Sequence, residues 1–170
     1  PEPVERHKLY DAIGKQIYVA SASDLDTAAA YKQIADAYWE AGRQQLALHY
    51  ETRAAVLDQT VIDPVREKSL VSYWLGSQAS NGWSAAALAS YYAARKMRPE
   101  AEAAYSHAVS NLNQDYDLYS VLANQLAHVG SRPARYKLAE DALALWPGNN
   151  FTFASLMDLQ LADNNVIAAQ

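Results

Sequence analysis

Four histidines (His7, His49, His107 and His128) and nineteen acidic side chains are the groups with which this 170-residue chain could do chemistry. A metal site built from helix residues needs ligands at a spacing such as H-x-x-x-H, and no two of these histidines stand so. The chain has no cysteine, which removes thiol nucleophiles, disulfides and cysteine-based zinc sites together and leaves the redox compartment open. No G-x-S-x-G, G-x-x-x-x-G-K-[ST] or G-x-G-x-x-G motif occurs. Asp36 and Glu40 lie one helical turn apart and so share a face, as carboxylates on solvated helices routinely do. A glycosidase needs two carboxyls held across a sugar, and no spacing here singles out such a pair. The expectation is a protein without catalysis, metal or cofactor.

Composition bounds the rest. Just over half the residues are hydrophobic and the net charge is −5, enough apolar surface for a core and too little charge for disorder. No apolar run approaches the ~18 residues of a membrane span. A pI near 5.3 argues against a nucleic-acid binder, which needs a basic surface. The chain begins Pro1-Glu2-Pro3 without Met and stops at Ala168-Ala169-Gln170 as another helix is starting, so it reads as a piece of a longer protein.

The elements that must position any site are helices. About one residue in five is alanine, and no valine- or isoleucine-rich stretch alternates with polar residues over a strand length. Ser23-Asp24 can cap a helix over about 25–40 that Ala41-Gly42 stops, and a second covers about 43–57. Asp63-Pro64 opens a third, to about 78, which Asn81-Gly82 breaks. Others follow at about 84–96, 99–112, 117–129, 133–145 and 150–162, with a leading one at about 4–19. The fold class is therefore all-α, with eight to nine antiparallel helices in a single domain over 1–170.

The chain also repeats itself. Leu88, Leu122 and Leu156 stand 34 residues apart, as do Ala108 and Ala142. An offset of 54, which is 34 plus 20, maps Ile34 to Leu88, Ala35 to Ala89, Tyr38 to Tyr92, Ala47 to Ala101 and Ala54 to Ala108. The extra 20 residues match an inserted helix near 63–80. With Tyr31, Ile34, Ala35, Tyr38, Gly42, Ala47, Ala54 and Asp58 in one unit, and Tyr119, Leu122, Ala123, Gly130, Ala142 and Pro147 in another, the chain resembles the tetratricopeptide repeat family. The units fall at about 28–60, 84–114, 117–147 and 150–170, the last incomplete. The pattern is departed from where Lys96 replaces the turn glycine, where Arg135 replaces a small alanine, and where Gln59 and Asn113 stand in place of the terminal proline.

The resemblance implies a right-handed superhelix whose concave groove holds a partner segment. Projected onto this chain, the groove-facing positions include Lys32, Asp36, Trp39, Glu40, Trp83, Ser90, Asn124, His128, Phe151 and Asp158, with Ser120 and Leu161 beside them. The family's carboxylate clamp for chaperone tails is not matched: the positions hold Lys32, Asp36, Ala87, Asp117 and Val121, and two acids would repel a terminal carboxylate. A neutral or basic peptide fits better. The leading expectation is thus a non-catalytic protein-interaction scaffold. The alternative is a periplasmic module of a bacterial envelope or exopolysaccharide-export system, suggested by six lysines, no cysteine and many amides, with glycan stacking on Trp39, Trp83 and Tyr92. Self-association through open terminal repeats is a third. Against these stands the plain expectation that Trp39, Trp74, Trp83 and Trp146 pack between helices, and that Arg95-Lys96-Met97-Arg98 is a solvated turn.

Overall fold

The structure is a computed structural model that describes residues 24–129 and 132–168. The expected helix at 4–19 and the turn residue Gly130 lie outside the described residues. Within them the chain is all-helical, with no strand. The helices are α1 (Asp24–Glu40), α2 (Gln44–Leu57), α3 (Glu67–Ser77), α4 (Gly82–Ala94), α5 (Arg98–Ser110), α6 (Tyr116–Val129), α7 (Arg132–Leu145) and α8 (Asn150–Ala168), with a 3-10 turn at Gln59–Val61. None is long and apolar enough to cross a membrane.

Helices pair in sequence order, α1 on α2, α4 on α5 and α6 on α7, and each pair stacks on the next through α2 against α4, α5 against α7, and α4 against α6. Small residues set the closest approaches: Ala35, Ala47, Ala54, Ala89 and Ala108 are wholly buried and Ala101 nearly so. The turn closing the first pair recurs 54 residues later with the same two closing bonds. Gly42 and Arg43 donate to the carbonyls of Trp39 and Tyr38, and Lys96 and Met97 donate to those of Ala93 and Tyr92. Both turns need a left-handed residue, Gly42 at φ 71° and Lys96 at φ 61°. A lysine there carries the backbone strain that glycine avoids.

The inserted α3 belongs to the core. Its Leu70 and Trp74 are fully buried, and Trp74 Nε1 donates to Thr52 Oγ1 at 2.8 Å, so the indole's polar end is satisfied inside α2. The helix starts at Glu67, later than Asp63-Pro64 suggests. The Asp63 carboxylate accepts the Val65 N–H, and its carbonyl accepts those of Arg66 and Glu67, making a turn ahead of the helix. Asn81 likewise begins α4 as its N-cap, accepting from Trp83 and Ser84, so Gly82 belongs to the helix that follows it. Gly82 is glycine for want of room: an added Cβ would lie 2.5 Å from Leu118 and 2.7 Å from the Asn111 carbonyl oxygen. The 3-10 turn after α2 is stabilised by Asp58, which accepts the Thr60 N–H.

Candidate partner-binding groove

The expected groove divides into a half that the chain fills itself and a half that stays open. In the filled half, Lys32 and Asp36 face each other one turn apart on α1, with Lys32 Nζ donating to Asp36 Oδ1 at 2.6 Å. Arg66, just before α3, reaches over them. Its Nη1 donates to Asp36 Oδ1 at 2.7 Å and to Glu51 Oε2 at 3.4 Å, and its Nε lies 3.5 Å from Asp63. Its guanidinium also stacks on Trp39, 4.7 Å from the ring centroid. Glu51 is fully buried on α2, and Lys32 Nζ lies 3.9 Å from its Oε1.

A buried carboxylate is tolerated only with cations beside it, and Lys32 and Arg66 are those cations. Burial alone would raise the pKa of Asp36, but the hydrogen bonds and charges of Lys32 and Arg66 outweigh it and hold the carboxyl below its usual range. Burial would lower the pKa of Arg66; Asp36 and Glu51 more than compensate. Asp36 and Trp39 are therefore engaged by Arg66 at the start of the α3 segment and Lys32 by Asp36 and Glu51, while Glu40 stays exposed at the end of α1.

Trp83 differs from a displayed ligand platform. It is 7% exposed, its Nε1 donates to Asp115 Oδ2 at 2.7 Å, and the Arg53 guanidinium lies 4.6 Å from its ring centroid. Asp115 also accepts the Leu118 N–H, so Trp83 pins α4 to the start of α6. Ser90 is half-buried and accepts from Gln125 Nε2 at 3.0 Å, and the same amide donates to the Val56 carbonyl at 2.7 Å. One glutamine side chain thereby ties α6 to α2 and α4.

The open half lies between α6, α7 and α8. A cleft of about 330 Å³ is lined by Tyr119, Ser120, Ala123, Asn124, Arg135, Leu138, Ser155 and Asp158, among others. A second hollow of about 260 Å³ beside it is lined by Val56, Leu57, Ser120, Val121, Asn124 and Gln125. Ser120 and Asn124 line both, so the two hollows lie side by side with these residues in their common wall, between the end of α2 and α8. Of the ten residues projected from the sequence, Asn124 and Asp158 come together here, with Ser120 between the two hollows. The side chains of His128 and Phe151 lie outside the described residues. Arg135, Gln125 and Tyr119 also line the groove. The sequence signal for Arg135 is its place where an alanine is usual.

The groove offers a guanidinium, a carboxylate, two carboxamides and three hydroxyls beside apolar side chains. Gln125 Oε1 is buried without a hydrogen-bond partner, an acceptor beside the second hollow. Burial raises the pKa of the Tyr119 phenol, and a hydrogen bond with Ser155 partly opposes this, so the phenol is neutral near pH 7. No histidine is among the described residues lining either hollow, and no described cluster of His, Asp and Glu is arranged to hold a metal ion. Compared with known proteins, the chain matches no family model, no curated protein and no solved structure.

Proposed function

We propose that this chain is a non-catalytic protein-interaction module, a right-handed solenoid of tetratricopeptide-like helix pairs that holds an extended partner segment in the groove across α2, α6, α7 and α8. The observation that carries this is the side-by-side placement of two hollows that share Ser120 and Asn124 in their walls. An elongated groove with a carboxamide at its middle suits a peptide main chain, to which asparagine can donate and accept together. The turn that recurs 54 residues apart supports the repeat, and stacked pairs give such proteins their extended binding faces. For a glycan the same observations offer less, because Arg66 covers one face of Trp39 and Trp83 is buried.

A photoreactive p-benzoylphenylalanine placed at Asn124, and separately at Glu40, tests the groove in envelope and cytosolic extracts. Crosslinking of one protein band from Asn124 and not from Glu40 is expected. Equal crosslinking from both positions, or glycan retention with no protein band, refutes it.

A further inference from the structure

We infer that the partner segment carries an acidic and a basic side chain close together, the acid docking on Arg135 and the base on Asp158. This rests on the peptide-groove proposal above and adds the chemistry of the occupant. Two observations lead to it.

The first is how the cleft arises. Ala47, Ala101 and Arg135 occupy corresponding places, 54 and 34 residues apart, near the start of the second helix of each pair. The two alanines are buried, and α1 with α2 and α4 with α5 pack closely along their lengths. At Arg135 the corresponding helices, α6 and α7, approach far less closely, and the cleft opens between them with Arg135 in its wall. A long charged side chain where an alanine permits close packing holds a helix pair apart.

The second is that the charges in the cleft are unspent. Elsewhere among the described residues opposite charges are paired, as in Arg66 with Asp36, Arg95 with Glu67, and Lys137 with Asp141. Arg135 and Asp158 line one cleft, yet neither has an ion-pair or hydrogen-bond partner among the described residues. A half-buried guanidinium wants a carboxylate, to which it bonds bidentately. Asp158, exposed on α8 across the cleft, wants a cation. Their charges are opposite, so a segment of one sign would meet repulsion at one end, and only a mixed segment satisfies both.

The probe is a library of acetylated, amidated hexapeptides with randomised side chains, passed over the immobilised full chain and read by mass spectrometry. Blocked ends ensure that only side-chain charge is sampled. The expected result is about tenfold enrichment of peptides with one acidic and one basic residue over neutral ones, the factor that two partly exposed ion pairs supply. The variant Arg135→Gln/Asp158→Asn should lose that preference. The reversal Arg135→Glu/Asp158→Lys should keep it with the order of the two charges along the peptide inverted, a result that a misfolded variant cannot give. Enrichment of neutral peptides, abolished by Asn124→Ala, would overturn the charge inference and leave the groove standing. If wild type retains no peptide, both fall.

Discussion

Two glycines on neighbouring helices should respond to alanine with opposite signs, and the difference measures how tightly α4, α5 and α6 are stacked. Gly76 on α3 has nothing within 4 Å of where a Cβ would stand, so Gly76→Ala gains only helix propensity, about 0.5–1 kcal/mol. At Gly82 the same Cβ would stand 2.5 Å from Leu118 Cδ2, 2.7 Å from the Asn111 carbonyl oxygen and 3.3 Å from that of Ala108. Carbon contacts settle at about 3.5–4.0 Å, so something must move by about 1 Å. Leu118 can change rotamer, but the carbonyls are main chain at the end of α5, and α4 must lift away from them. Overpacking of this kind costs about 1–3 kcal/mol. Set against the propensity gain, Gly82→Ala should lose about 1–2 kcal/mol, which in a domain of this size lowers Tm by roughly 2–8 °C. Gly76→Ala should raise it by roughly 1–4 °C. Differential scanning calorimetry of both variants and the wild type decides. If Gly82→Ala melts at or above Gly76→Ala, α4 does not lie against α5 and α6 as described, and the placement of Ser120 and Asn124 on α6 loses its support.

Further outcomes follow from single sites. Lys96→Gly should raise the urea midpoint by an amount equivalent to about 0.5–1 kcal/mol, because relief of left-handed strain exceeds the added freedom of the unfolded chain; a lower midpoint contradicts the turn geometry. Glu51→Gln should cost about 3 kcal/mol by leaving Lys32 and Arg66 short of a buried anion, and adding Arg66→Met should recover part of the loss, a coupling visible in a double-mutant cycle. His49 has its pKa lowered, first by burial and then by Arg53, so the unfolded chain binds its proton more readily. Its contribution to stability is present above the unfolded value near 6.5 and fades as pH falls through the lower folded value. Denaturant midpoints from pH 7.5 to 5 should therefore drop in wild type and drop less in His49→Gln, and parallel slopes would dismiss the effect.

Much of the fold could be read because helix signals are local. Alanine content, Gly42 after α1, and the leucines and alanines at 34- and 54-residue offsets report on the chain's own neighbourhood. The boundaries that shifted did so where a side chain had two roles open to it. Asn81 could end one helix or cap the next, and its geometry chose the second. The groove was less legible because its state depends on contacts between distant residues. Nothing at Asp36 or Trp39 announces that Arg66, thirty residues beyond Asp36, will engage them. Nor does Trp83 reveal that Asp115 will accept its N–H and Arg53 will lie over its ring. Arg135 was visible as a departure from the alanine pattern, but its effect on the spacing of α6 and α7 emerges only when the helices are placed together.

That looser third pair has a consequence for how the molecule comes apart. Stacked helix pairs unfold by segments, and a segment's opening free energy follows the contacts it makes. The α6–α7 pair is the less closely packed one, so its amides should exchange with solvent ahead of those in α1, α2, α4 and α5. The candidate groove thus sits at a helix pair that opens more readily than the first two pairs. An occupant would bridge α6, α7 and α8 and draw their exchange rates down towards those of the rest, so that binding is read as local protection rather than as movement.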